Sequence, residues 1–468
     1  MQDLSSRSAA ETTGDSESSR CRSRRTRRLA SIAGCGAIAS MTAVATVALI
    51  PPPSPRAYAG SESCAGCHPD AYALMKHSRH QMMMRPASQN DVVVANFETT
   101  DPGLRFRKSD AVWAIGGKWE QQFMGTDGAT ETLLPGSWHV AQQDWDFRGW
   151  DGWQRPEPLE RCHGCHTVGL NVATGEFVEP NIGCESCHGP SEWHVTTWGI
   201  GQVYSGVESE VCGQCHSRGN DPTRQYFFPV DYEPGGATPL NEAFELLKHT
   251  PGQDSSHWWG DGHARQRHQE YPAWMGGGHA KALKSLREDY DGRFGPATDD
   301  CLPCHSADYI LAGRNKPSLE EASNGITCAV CHNTHGDLDA LRVDCASCHG
   351  DGPSFHNPQT LEAHVPAPVS AHSDCLDCHM PRTGIIGGES VLHSHSPGVV
   401  PPQESARAVG RVTSCSNSEC HVGDSVSLLS RSFENTYRFD RDLQRVDATS
   451  GATRGPGVHR APRADTGV

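Results

Sequence analysis

Gly183-Cys184-Glu185-Ser186-Cys187-His188-Gly189-Pro190 sets two cysteines three positions apart and a histidine directly after the second. Over one helical turn, such a pair of thiols can form thioethers to the two vinyl groups of a single haem. The adjacent imidazole can then take the iron as proximal ligand. Seven further copies of C-x-x-C-H occur: Cys64/Cys67/His68, Cys162/Cys165/His166, Cys212/Cys215/His216, Cys301/Cys304/His305, Cys328/Cys331/His332, Cys345/Cys348/His349 and Cys375/Cys378/His379. A ninth candidate, Cys415/Cys420/His421, has four residues between its cysteines instead of two.

The cysteine inventory strengthens each motif. Of 20 cysteines, 18 fall inside the nine motifs, and the other two, Cys21 and Cys35, lie near the N-terminus. Zinc and iron–sulfur sites also use C-x-x-C arrays, but neither demands a histidine after every second cysteine. Haem c is therefore the expected cofactor, nine copies in all. At Cys415 and Cys420 a disulfide or a lost site is the alternative reading.

An arginine-rich stretch, Arg20 to Arg28, precedes an apolar run from Leu29 to Ile50, a proline-rich segment and Ala57-Tyr58-Ala59. This pattern predicts a signal peptide over 1–59, cleaved after Ala59, and places the protein in the periplasm or outside the cell. The apolar run is long enough to span a bilayer, so an uncleaved leader is the one route to membrane association. Losing eight arginines and four carboxylates with the leader would take the formal charge from −16 to −20. Such a surface excludes nucleic acid as a partner and suits steering toward basic patches on a redox protein.

Only 36% of residues are apolar, while Gly and Pro number 48 and 31. A chain of this composition builds little conventional core. The expected fold is mainly α, loop-rich, with a small antiparallel β segment and a core formed by stacked haems over 60–430. Folding would then depend on haem insertion.

Spacing divides that region. Asp70 to His80 predicts a helix carrying His77 and His80 on one side. In the motif-free interval 91–161, the runs Val92 to Val94, Leu104 to Phe106, Ala111 to Ile115 and Trp119 to Met124 predict a β-prone insert. The second motif-free interval, 217–300, predicts a linker and an amphipathic helix near Leu240 to His249. Residues 431–468 are polar and predict a disordered tail.

Nine of the 26 histidines close motifs, leaving 17 as candidates for the sixth position on each iron. His335 sits three residues past His332, too near in sequence to share its iron but well placed for a neighbouring one. His80, His194 and His395 rank next. His257, His263, His268, His279, His356, His364, His372 and His393 stay open.

Several further segments strengthen the pattern: Gly60-Ser61-Glu62-Ser63-Cys64, the Ser-x-His ending at His80, Ile115-Gly116-Gly117-Lys118-Trp119, Gly325-Ile326-Thr327-Cys328, and Cys378-His379-Met380-Pro381 followed by Ser394-His395. With them the chain resembles the multihaem cytochromes of the cytochrome c-554 type from about Ser61 to Pro402. The resemblance implies His80, His194, His335 and His395 as distal ligands. It also implies electron transport through mostly bis-histidine haems, between a donor such as a quinol oxidase and a reductase or extracellular acceptor. The group shades into enzymes, so the alternative is a multihaem oxidoreductase with one open haem acting on nitrite or hydroxylamine. Catalytic residues for that reading are unknown. Every motif here ends in histidine, which departs from the lysine-ligated haem of ammonia-forming nitrite reductases.

Overall fold

A computed structural model describes residues 57–128, 130–148, 158–288, 295–336, 341–349, 375–386, 389–406, 412–416, 421, 424–431 and 433. Residues 1–56, where a signal peptide is expected, Cys420, His356, His364, His372 and nearly all of residues 431–468 lie outside the described residues.

The first interval between motifs carries a six-stranded sheet. Its strands are β1 (Met84–Pro86), β2 (Trp113–Gly116), β3 (Glu120–Asp127), β4 (Thr130–Leu133), β5 (Ser137–His139) and β6 (Asp144–Asp146). The order is β1-β2-β3-β5-β6, with β4 on β3, and each pairing is antiparallel. Register sets Ala114 beside Phe123 and Trp138 beside Trp145. These four join Ala87, Val92, Phe106 and Leu134 in the buried cluster of the sheet.

Two of the runs expected to be strands are loops here. Val92–Val94 is held by the fully buried Gln121, whose Oε1 accepts from the Val94 and Ala95 N–H groups and whose Nε2 donates to the Val92 carbonyl. Leu104–Phe106 contributes Phe106 to the cluster without entering the ladder. One glutamine thus satisfies backbone groups that a strand neighbour would otherwise pair.

Helices are short. α1 (Pro69–Lys76) ends before the expected His80, and a 3₁₀ turn, Arg79–Met82, follows. The break at His77–Ser78 leaves His77 exposed and turns His80 toward the interior. α2 spans only Leu240–Ala243, because Phe244 becomes extended and Glu245–Leu246 pairs with Gly219–Asn220. The apolar stripe predicted there is still used: Leu240 and Phe244 bury against Tyr271. Tertiary pairing has overridden a local helical pattern. α3 (Glu270–Gly276) and α4 (Gly278–Glu288) follow, with Leu283 and Leu286 of α4 packed on Leu302 and Ala322. A hairpin, Arg382–Ile386 with Glu389–His393, comes after the eighth motif.

No helix among the described residues is long and apolar enough to cross a membrane.

Candidate haem-binding sites

The regular C-x-x-C-H motifs are built on single helical turns. The N–H of the closing histidine bonds the carbonyl of the first cysteine at His68, His216, His332 and His349, at 2.8–2.9 Å. This i to i+4 closure brings two thiols and an imidazole to one side of the turn. None of the 17 described cysteines is in a disulfide.

The motif thiols differ in exposure. Cys67 is exposed, as are Cys375 and Cys378 of the eighth motif, while the other described cysteines are half-buried. The turn itself explains the difference. Cys64 ends the 3₁₀ turn Ser61–Cys64 and faces inward on Cys184, whereas Cys67 follows Gly66, around which the space is open.

Five motif histidines have a second imidazole opposite them. His68 pairs with His194 at 6.3 Å between ring centroids, and His216 with His80 at 6.4 Å. His188 pairs with His335 at 5.9 Å, His332 with His395 at 6.1 Å, and His349 with His279 at 6.0 Å. In four of the pairs one ring has its Nδ1 occupied. His188 bonds the Tyr204 carbonyl at 2.7 Å, His194 that of Gly201 at 2.8 Å and His395 that of His393 at 3.1 Å. His216 Nδ1 lies 3.6 Å from a Glu270 carboxylate oxygen. With Nδ1 oriented this way, Nε2 is left free to face a metal.

Burial keeps several of these rings uncharged. It pushes His80 and His395 down to about 4, and lowers His279 and His335 as well. A metal ligand must be neutral imidazole, so this environment suits ligation. At His216 burial also pulls downward, but Glu270 prevails and raises it.

Thiols of different motifs also touch. Cys64 contacts Cys184, Cys165 contacts Cys215, Cys212 contacts Cys328, and Cys304 contacts Cys348. The first and third motifs are thereby neighbours, as are the second and fourth, the fourth and sixth, and the fifth and seventh.

Comparisons with known proteins point the same way. A family model described as cytochrome c554 and c-prime matches residues 138–189 and 262–333. The crystal structure of the outer cell wall cytochrome OcwA aligns at a TM-score of 0.70 with 26% identity, over 85% of this chain and 92% of that one. The chain is a multihaem c-type cytochrome. An undecahaem cytochrome from the S-layer of Carboxydothermus ferrireducens shares the fold at a TM-score of 0.50 and 20% identity, over 89% of the cytochrome described here and 66% of its own length. No curated protein matches the sequence.

Haem c fits the residues present. Two metal–imidazole bonds of about 2 Å laid end to end, with half a ring on either side, span the observed centroid separations. The group supplies one-electron redox chemistry at iron. The motif cysteines would hold it by thioethers, and the paired imidazoles would serve as its iron ligands.

Other predicted positions fall differently. His166, His305, His379 and His421 are not in the five pairs. His305 Nδ1 bonds the Ala282 carbonyl, and His421 Nδ1 lies 2.9 Å from Asp424. With Cys420 outside the described residues, the ninth motif is seen only at Cys415 and His421. His249, not among the sequence candidates, presents Nε2 to the Gly260 carbonyl. His268 is deeply placed, its Nδ1 on the Cys215 carbonyl, and burial pushes it down to about 3.

His279 was one of several open candidates in the sequence. The structure singles it out: the first turn of α4 sets its ring opposite His349.

Proposed function

We propose that this cytochrome carries electrons through an array of mostly bis-histidine haems outside the cytoplasmic membrane. In that array His80, His194, His279, His335 and His395 are distal ligands to irons held by His216, His68, His349, His188 and His332. The observation that carries the reading is the set of five imidazole pairs, each joining chain segments far apart in sequence at the spacing an intervening iron requires. Closing both axial positions with imidazole leaves an iron that exchanges electrons and binds no substrate, at low potential.

Similarity to an outer cell wall cytochrome and an S-layer cytochrome supports a place at the cell exterior. There the chain would pass electrons between a redox protein on the donor side and an extracellular acceptor or reductase. The acidic surface favours a partner with a basic docking patch, in a salt-dependent way.

Low-temperature electron paramagnetic resonance of the ferric protein, with and without nitrite or hydroxylamine, tests this. Low-spin signals that ignore both ligands are expected for at least the five paired irons. High-spin signals from most of the haems would overturn the reading.

A further inference from the structure

The fourth motif occupies a junction. Through Cys215 it touches the second motif at Cys165, and through Cys212 it touches the sixth at Cys328. Cys187 of the third motif is close enough to act electrostatically on both of these thiols. Among the described residues, three neighbouring attachment sites therefore meet at the position whose proximal ligand is His216.

One carboxylate stands beside that ligand. Glu270 opens α3, and its Oε2 is sealed from solvent 3.6 Å from His216 Nδ1. Its Oε1 accepts the backbone N–H of His268 at 3.2 Å. The next residue fixes the geometry further, since Tyr271 N–H bonds the His216 carbonyl. The same charge is felt by His395, the ring opposite His332 of the sixth motif. The cations facing this cluster are Arg218 and Arg267, and Arg267 is itself engaged by Glu120 at 3.5 Å.

We propose that Glu270 sets the redox potential of the junction, holding the iron of His216, and more weakly that of His332, below the neighbouring branches. This rests on the electron-transfer reading above. An electron reaching the His216 iron reduces it from Fe(III) to Fe(II), the donating iron goes from Fe(II) to Fe(III), and no bond or proton changes hands. A fixed negative charge on the far side of the axial imidazole opposes that arrival. It favours the ferric form, as carboxylates beside metal-bound histidines raise ligand basicity. A junction held low passes electrons onward instead of trapping them where three branches meet. Glu270 is thus a positioning and charge-setting residue acting through His216.

The test is a spectroelectrochemical titration of the full, haem-loaded protein and of Glu270→Gln and Glu270→Asp. In Glu270→Gln one haem should become easier to reduce by about tenfold, a shift of about 59 mV upward for a single electron. A second should move less, and the rest should not move. Glu270→Asp, which keeps the charge, should shift by less than a third of that. Intact mass must show the same haem content as the parent. Arg218→Gln, which removes an opposing cation, should shift the same haem downward, and it serves as the second test should Glu270→Gln load haem poorly. Curves that superimpose on the parent at equal haem content, or a downward shift in Glu270→Gln, overturn the proposal. A mostly high-spin parent protein would instead overturn the electron-transfer reading, which the resonance spectrum reports independently.

Discussion

The imidazole planes of His188 and His335 lie within 5° of parallel, with centroids 5.9 Å apart. The first closes the third motif. The second follows the sixth motif by three residues, and His332 between them turns to His395 instead. Two consecutive haem neighbourhoods are thus interlocked: the peptide that attaches one supplies the distal ring of another. Removing His335 should open the iron of His188 alone. His335→Ala is expected to add high-spin signal from one haem that shifts on adding cyanide, with the His332 iron unaffected. His335→Met should keep that haem low-spin and raise its potential. An unchanged spin state in His335→Ala would remove His335 from the ligand set.

A second link ties the sheet to the second motif. Glu131 on β4 lies 2.8 Å from Nε2 of His163, which sits between the motif's cysteines and is only 3% exposed. The other Glu131 oxygen accepts from Trp113 Nε1 at 2.9 Å. The His163 hydrogen bond holds the Glu131 carboxyl below its ordinary value, against the opposing effect of burial. With the folded value below the unfolded one, the folded chain binds fewer protons. The stabilisation is therefore complete above the unfolded value of about 4.5 and fades as pH falls through the folded one. Glu131→Gln should cost about 1–2 kcal/mol at pH 7, read as a lower Tm, and the gap from the parent should close as pH falls through the lowered folded value. Equal melting at pH 7 would show that the pair contributes nothing.

Motifs were legible because they are local, with five residues and one turn carrying the chemistry. How deeply each thiol sits was not, since the same C-x-x-C-H turn leaves Cys67 exposed and Cys187 half-buried. The sheet was legible in outline, since Gly-Gly and Asp-Gly punctuation separates β2, β3 and β4, and Gln121 accounts for the Val92 loop that looked like a strand. The ring opposite a given motif histidine is a different matter, because it depends on where distant segments cross. Ser-x-His at His80 and Ser-His at His395 stood out by resemblance, yet nothing near His279 in the sequence names His349 as its partner. Near Leu240 the apolar spacing was read correctly as buried and wrongly as a long helix. Four residues of α2 suffice before Glu245 is drawn into a strand pair with Asn220.

Glu185, inside the third motif, is 1% exposed and its carboxylate is heavily bonded. It accepts from Ala59 N at 3.0 and 3.1 Å, Gly60 N at 2.7 Å, Ser191 N at 2.8 Å and Ser191 Oγ at 2.7 Å. Around it the Cys64 and Cys184 thiols touch, and Ser61 Oγ accepts the Cys184 N–H at 2.8 Å. One buried carboxylate therefore clasps Ala59, Gly60 and the segment after His188 around two neighbouring attachment sites. Glu185→Gln replaces an acceptor oxygen with a donor NH₂ facing other donors, and should cost about 2–4 kcal/mol. A chain cut after Ala59 would lose the Ala59 donor and present the Gly60 ammonium to the same carboxylate. Limited proteolysis of haem-loaded protein should show early cleavage between the first motif and the segments it rests on. Glu98→Gln, at an exposed carboxylate on the sheet insert, should match the parent. Equal resistance in Glu185→Gln would mean that the clasp is made by the haems and not by the carboxylate.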